Sequence, residues 1–517
     1  MSVVAGVDFG TSSVRVSIVH DGRGRLGSGT APYPVLRRAD LADYAAQSPV
    51  DHARALEQAF AAALAAARVS GGSVAALAVD TTGSTVIPVD ERLRPLGDFY
   101  LWCDHRASRE AAEITAAARR SRLPALDWCG GAYSSEWGFA KVLHWLRSAP
   151  DAAPRFHLAL EHCDYVVAML CGIEDATALP RSVCALGHKW LWNAELGGLP
   201  SEDFFAAVDP LLAGLRTRMT APAWTSDRTA GGLSPAWAAR LGLAAGIPVA
   251  VGALDAHWDA IGVGCRLGDV VNVVGTSSCL MAVSDEARPI PGVAGVVRGS
   301  IHPQKIGIEA GLAAVGDLFA AIAARAGRSV DDLTAALQTH RAGQTGLLRI
   351  PWDNGDRSVL ADPELTGVTL GWRLNHTAAD ELFAAIEGTA MQTRIILERL
   401  GEQGVPLDRV IHAGGIPQRN ALLNRVYAGV LGKPVLVPAT DATSLGAAMF
   451  AFLAAGTFKT IEAAQAALAP TYVTVEPDPG DVAVYDALYG RFREAYFLLG
   501  SLERGAGRGR LMEAFDP

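Results

Sequence analysis

The sequence predicts an α/β protein built as two related lobes that face each other across a cleft. Three observations carry this reading. Apolar β-rich runs alternate with helix-spaced segments through both halves of the chain. The tetrapeptide Gly-Thr-Ser-Ser follows an apolar run twice, at Gly10 and at Gly275. No long Ser/Pro-rich linker separates the halves, so the lobes are expected to pack directly on each other.

The elements follow in order. Val3 to Phe9 and Val14 to His20 are β-rich and separated by a short turn, which predicts strand, turn, strand. Ser48 is a suitable N-cap and Pro49 suits the first helical position, so a helix opens there and runs to Val69. Val74 to Val79 predicts a buried strand ending at Asp80-Thr81-Thr82-Gly83. From Trp102 to Trp224 the periodicity weakens while Trp, Cys and His gather, which marks an insertion on the substrate side. Val249 to Gly252 is a short strand leading into Asp255, and Val270 to Val274 another. Asp380 to Leu400, Asn420 to Leu431 and Ser444 to Ala455 have helical spacing. Arg409 to Ala413 and Pro434 to Val437 read as strands. The expected division is a first lobe over 1–246, a second over 247–500, and a tail over 501–517.

Composition excludes several classes. Of 517 residues 50% are hydrophobic and 19% charged, which fits a folded, rather apolar protein and not a disordered one. Lys and Arg number 45 against 54 Asp and Glu, a net charge of −9 without a basic cluster, so no nucleic-acid partner is expected. Seven scattered cysteines without a CxxC pair argue against a disulfide framework and for a reducing compartment. Residues 1–8 lack a basic region and read as a strand, not a signal peptide. The longest apolar stretch, Leu445 to Phe458, is shorter than the ~20 residues of a membrane span. A cytoplasmic protein without a membrane partner is expected. His105, His162, His188 and His257 are dispersed without a HExxH pair, so no zinc site is expected, and no Gly-x-Ser-x-Gly elbow points to hydrolase chemistry.

Three motifs carry chemistry. In Asp8-Phe9-Gly10-Thr11-Ser12-Ser13, with Arg15 beyond, Gly10 lets the backbone approach an anion, and the hydroxyls and N–H groups can bind phosphate oxygens. Asp8 facing phosphates requires a cation between them, which points to Mg²⁺ held partly through water. Taken alone, a tight hairpin with polar turn residues explains the segment equally well. Gly275-Thr276-Ser277-Ser278 shifts that balance, because two such turns can grip a polyphosphate from both sides. In His412-Ala413-Gly414-Gly415-Ile416, followed by Asn420, the paired glycines leave flat backbone on which an adenine can lie. By itself Gly-Gly at a strand end is ordinary punctuation.

The order of these motifs resembles the ATPase core shared by actin, the large heat-shock chaperones and sugar kinases. That implies two actin-like (ribonuclease H-like) ATPase lobes around a central cleft. Gly252-Ala253-Leu254-Asp255-Ala256-His257 narrows the resemblance to the FGGY carbohydrate kinases. An aspartate at this place is the catalytic base in that family, which implies that role for Asp255. Within the family the chain resembles the ribulokinases of the L-ribulokinase type. The segments that carry this are Val79-Asp80-Thr81-Thr82-Gly83-Ser84-Thr85, Leu101-Trp102-Cys103-Asp104-His105 and Gly130-Gly131-Ala132-Tyr133-Ser134-Ser135-Glu136-Trp137. With them stand Cys163-Asp164-Tyr165, Gly187-His188-Lys189, Ile308-Glu309-Ala310-Gly311 and Ser444-Leu445-Gly446-Ala447-Ala448.

The resemblance implies a sugar pocket of Gly83, Trp102, Lys189, Asp255 and Glu309. It also implies an ATP site of Gly10, Thr11, Ser12, Arg15, Gly275, Thr276, Gly414, Gly415 and Asn420, with Mg²⁺ near Asp8. Chemically, Trp102 can wall the carbon face of a sugar and offer its N–H, while Lys189 and Glu309 can offer a donor and an acceptor to vicinal hydroxyls. The implied activity is phosphorylation of a ketopentose, ribulose to ribulose 5-phosphate, with a homodimer as the compatible assembly. The alternatives are a kinase for xylulose, D-ribulose or a pentitol, and an actin-like or chaperone-like ATPase with conformational output. The chain departs from the family at Cys103, Leu312, Trp258 and Asp259 and is short between Arg328 and Pro351. These departures bear on the sugar and not on the ATP chemistry.

Overall fold

The computed structural model describes residues 2–506. Two seven-stranded sheets form its framework. In the first, the order is Thr229–Gly232, Pro248–Ala250, Val74–Thr81, Val3–Phe9, Ser13–His20 and Gly24–Pro32, with Ala253–Leu254 also paired to Val74–Thr81. In the second it is Gly295–Arg298, Ile306–Leu312, Ser278–Ser284, Asp269–Val274, Arg409–Ala413, Val435–Pro438 and Tyr472–Val475.

The two sheets share one pairing pattern. Val3–Phe9 pairs antiparallel to Ser13–His20, and that strand antiparallel to Gly24–Pro32. Asp269–Val274, Ser278–Ser284 and Ile306–Leu312 repeat this hairpin series. On its other side each first strand takes a parallel neighbour, Val74–Thr81 or Arg409–Ala413. A second parallel strand and an antiparallel edge strand then complete each sheet. The central strands are buried on both faces, as their near-continuous runs of Val, Ile, Leu and Ala require. The sheets bear out the two actin-like lobes read from the sequence.

Two corrections concern boundaries. Pro248–Ala250 and Ala253–Leu254 pair with Val74–Thr81, so the first sheet extends past the expected division between 246 and 247. The terminal helix Pro479–Ala506 runs through residue 501, so the expected tail begins inside a helix, and its remainder lies outside the described residues. Within the 102–224 segment, strand Leu158–Glu161 joins a separate five-stranded sheet through Val86–Val89, and helices Gly138–Ser148 and Val183–Lys189 are almost wholly buried.

Each lobe has its own apolar core, and a third lies between the sheets. Val4 and Ala78 of the first sheet and Val271 and Ile411 of the second enclose two helices there, Asp255–Gly262 and Leu445–Ala454. Trp258 stacks on Phe450 with ring centroids 4.6 Å apart. The helix crossing is close enough to demand glycine: a Cβ on Gly446 would lie 1.9 Å from the Trp258 carbonyl oxygen, and one on Gly262 2.7 Å from the Gly446 nitrogen.

Gly446→Ala therefore has to push the two helices apart. Its expected cost is about 1–3 kcal/mol of stability, read as a lower denaturation midpoint. Gly22→Ala is the control, since a Cβ there meets nothing within 4 Å, and it should stay within about 0.5 kcal/mol of the parent. Equal midpoints for the two variants would show that the crossing has slack.

Candidate active site

The site begins where three parallel strands end. Sheet register sets Asp8 opposite Arg15 on one side and Asp80 on the other. Ala253 and Leu254 pair with Asp80 and Thr81, which brings Asp255, the first residue of its helix, beside them. Asp259 lies one helical turn further on and faces the same way. Carboxyl ends of parallel strands are the usual ligand crevice of α/β sheets.

Four carboxylates thus converge with little to balance them. Burial and then Asp8 push the Asp255 carboxyl up to about 7, outweighing the Ala256 N–H that donates to it at 2.7 Å and the more distant Lys189. Burial raises Asp8 as well, moderated by a hydrogen bond with Asp80 and by Arg15. Asp80 and Asp259 are held well above the usual range by burial and by their acidic neighbours. Asp80 is 3% exposed, and its Oδ1 has no hydrogen-bond partner among the described residues. Arg15 is also engaged by Asp441 at 2.9 Å. A buried orphan oxygen within such a cluster suits a hard divalent cation such as Mg²⁺, which takes oxygen ligands.

The two Gly-Thr-Ser-Ser turns stand at equivalent places, each between the first two strands of its sheet. Each is closed by the glycine N–H, Gly10 to the Ser13 carbonyl at 3.0 Å and Gly275 to the Ser277 carbonyl at 2.8 Å. Their remaining carbonyls are largely occupied. Tyr33 Oη donates to Gly10 O and Ser13 O, and Gln47 Nε2 to Thr11 O. Val315 and Asp317 N–H donate to Thr276 O, and Gly316 N–H to Gly275 O. With acceptors tied back, the turns present donors, which is what an anion needs. Ser12 and Thr276 are exposed. Trp102 Nε1 donates to Thr11 Oγ1 at 3.1 Å, so the indole N–H expected to serve the sugar is already in use.

On the other side of Asp255 lies a buried ion pair. Lys189, the last residue of helix Val183–Lys189, donates to Glu309 Oε1 at 2.8 Å and Oε2 at 3.0 Å. Glu309 stands on strand Ile306–Leu312. Burial alone would drive the Glu309 carboxyl up, yet Lys189 holds it well below the usual range. Burial would likewise lower Lys189, and Glu309 reverses that. The Tyr133-to-Trp137 segment frames this pair: Tyr133 Oη donates to the Lys189 carbonyl at 2.9 Å, and Lys189 Nζ sits 5.9 Å over the Trp137 ring. A Cβ on Gly83 would approach Leu254 at 3.1 Å and the Lys189 stem at 3.4 Å, which places Gly83 at the same pocket.

A cleft of about 420 Å³ opens beside the carboxylates, lined by Arg15, Asp259, Gly414, Gly415, Arg419 and Asp441 among others. Gly414 has φ +88°, and a Cβ there would lie 2.5 Å from the Val274 carbonyl, so only glycine fits this turn. Asn420 does not present its carbonyl to the cleft; Oδ1 caps helix Ala421–Leu431 by accepting the Leu423 N–H at 3.0 Å. Beneath the cleft runs a buried chain of hydrogen bonds. Ser278 Oγ donates to Asn272 Oδ1, Asn272 Nδ2 to His412 Nε2 at 3.4 Å, His412 Nδ1 to Asn424 Oδ1 at 2.9 Å, and Asn424 Nδ2 to the Pro417 carbonyl at 2.7 Å. Burial lowers His412 to about 4, which keeps it neutral as this chain requires.

Comparison with known proteins agrees with this geometry. Residues 3–262 match the N-terminal domain of the FGGY family of carbohydrate kinases, and residues 270–455 its C-terminal domain. The chain belongs to the FGGY family of carbohydrate kinases. It is a sugar phosphotransferase of that family. Its relatives include the ribulokinase of Vibrio parahaemolyticus, 34% identical over 95% of both chains, and that of Geobacillus thermodenitrificans, 35% identical over 96% of this chain and 94% of the relative. The fold is shared with a xyloylose kinase of Brucella ovis, with a TM-score of 0.83 at 21% identity over 97% of this chain and 100% of that one. It is likewise shared with the xylulose kinase of Rhodospirillum rubrum, with a TM-score of 0.80 at 24% identity over 97% and 99%.

Several groups of this FGGY kinase's site escaped the sequence reading. Asp80 and Asp259 were visible as residues of matching or departing segments, but their convergence on Asp8 is made by sheet register. Arg357 donates to the Ser278 carbonyl at 2.6 Å and influences both Glu136 and Glu309. No local pattern marks it.

The carboxylate cluster predicts an inverted response of stability to pH. A carboxyl raised on folding stabilises the folded state fully below its unfolded value near 4, and that contribution is lost as pH climbs through the folded value. For Asp255 the loss runs from about 4 and is complete above about 7. In chelator the thermal midpoint should fall between about pH 5 and pH 8, and Mg²⁺ should restore it at the alkaline end. A midpoint indifferent to Mg²⁺ at pH 8 would remove the cation from the cluster.

Proposed function

We propose that this kinase moves the γ-phosphoryl group of ATP to the terminal hydroxyl of a ketopentose, ribulose at its 5-position. The observation that carries the reading is the place of Asp255, between the carboxylate cluster that faces the phosphate turns and the Lys189–Glu309 pair. Ribulose is supported by relatives named ribulokinase that are 34–35% identical over nearly the whole chain.

In this reading Asp255, ionised, accepts the proton of the attacking hydroxyl and orients its oxygen. Its raised pKa makes it a stronger base than a free aspartate. The Lys189 ammonium and the Glu309 carboxylate donate to and accept from sugar hydroxyls, and Trp102 and Gly83 shape the pocket around them. Thr11, Ser12, Gly10, Gly275 and Thr276 hold the phosphates, with Arg15 at the cleft mouth. Gly414 and Gly415 give the adenine a flat seat, and Asn420 acts by fixing the helix that follows. Mg²⁺ held near Asp8 would neutralise charge on phosphate oxygens. Phosphoryl transfer depends chiefly on such positioning and neutralisation. A cytoplasmic setting belongs to the same reading and is supported by seven unpaired cysteines. Among the described residues, no helix is long and apolar enough to cross a membrane.

Asp255→Asn keeps the shape of the side chain and removes the base. Turnover should fall at least about 100-fold while ATP binding persists. An ADP-release assay over both enantiomers of ribulose and xylulose and over pentitols should favour ribulose. Turnover of the variant near that of the parent removes the base assignment, and a preference for xylulose or a pentitol removes the acceptor.

A further inference from the structure

Two histidines that look unrelated in sequence meet Glu309 inside the protein. His188 Nδ1 lies 3.3 Å from Glu309 Oε2, and His257 Nε2 lies 3.5 Å from the same oxygen. The rings sit 4.4 Å apart between centroids, and both side chains are buried. The three ligand atoms all fall within 4.8 Å of one another.

Ser300 Oγ lies 3.0 Å from both the Val297 carbonyl oxygen and His188 Nε2. With Ser300 donating to Val297, His188 donates from Nε2 and turns the Nδ1 lone pair toward Glu309. Among the described residues His188 Nδ1 has no hydrogen-bond partner, and neither ring nitrogen of His257 has one. The ring has no room to turn away, since a Cβ on the adjacent Gly295 would lie 2.1 Å from Nδ1.

From this geometry we infer that His188 Nδ1, His257 Nε2 and Glu309 Oε2 form a site for a divalent transition cation of the zinc class. Separations of 3.3 and 3.5 Å between Glu309 Oε2 and the two nitrogens match the edge of a tetrahedron whose metal–ligand distances are about 2.0–2.2 Å. A ligating histidine usually donates its other N–H to an acceptor, and Ser300 Oγ stands 3.0 Å from His188 Nε2 to accept it. Lys189 lies closer to Oε1 than to Oε2 and can hold the far oxygen while the near one ligates. Its charge opposes the ion, so the site is weaker than a dedicated structural zinc centre. The cation and the sugar compete for Glu309, a consequence that rests on the proposed sugar pocket; the binding itself does not.

The test is a titration of chelator-stripped, full-length protein with Co²⁺, followed by its visible absorption. One equivalent should produce the intense bands of a four- or five-coordinate ion. His188→Asn, His257→Asn and Glu309→Gln should each weaken binding at least tenfold, in variants whose thermal midpoint confirms folding. Absence of the bands in the parent protein overturns the site. So does retention of full affinity in the histidine variants, or a near-ultraviolet thiolate charge-transfer band that assigns the ion to a cysteine. Displacement of bound Co²⁺ by ribulose reports separately on the sugar pocket: release supports its overlap with Glu309, and indifference removes the overlap while leaving the cation site standing.

Discussion

The crossing of helices Asp255–Gly262 and Leu445–Ala454 is the constraint on which the rest of the structure depends. One helix carries Asp255 and Asp259, and the other packs against the first sheet. Gly446 and Gly262 let the backbones touch where any Cβ would collide. Trp258 then fills the space beside the contact by stacking on Phe450. Both helices lie in the core between the sheets, so their separation sets how closely the sheets approach. The bulky Trp258, a departure from the family pattern, is in this light a packing residue; its side chain is fully buried.

Electrostatics divide the site into two halves that obey opposite rules. Around Asp8, Asp80, Asp255 and Asp259, burial wins, because acidic neighbours reinforce it and Arg15 and Lys189 only moderate it. At Glu309 burial loses, because Lys189 makes two short hydrogen bonds to it. Asp255 stands at the border and takes its character from the first half. A carboxyl that titrates near 7 is the result, beside a carboxylate that stays ionised throughout the physiological range.

Much of this architecture was legible in the residues. The repeated Gly-Thr-Ser-Ser after apolar runs marked the first hairpin of each sheet, and Ser48-Pro49 marked the first long helix, Pro49–Ala67. What local pattern could not show was pairing between distant segments. The lobe division missed because Pro248–Ala250 and Ala253–Leu254 return to a strand near residue 80. Asp255 and Glu309 enter through the family resemblance, whereas Arg357 and the convergence of Asp80 with Asp8 depend on register and loop course. Spacing likewise gives no sign that His188 and His257 meet, because the two come from different helices. The N–H of Trp102 was assigned to a ligand because sequence cannot reveal that Thr11 already accepts it.

The buried chain from Ser278 through Asn272, His412 and Asn424 to Pro417 has a further consequence. It fastens the second Gly-Thr-Ser-Ser turn to the short helix Gly415–Arg419. The two places that would meet opposite ends of a nucleotide are thereby parts of one rigid body. Under the proposed function, the second lobe works as a ruler. It gauges the length from base to terminal phosphate as a unit, so a nucleotide one phosphate shorter leaves the far mark empty instead of drawing the turn inward.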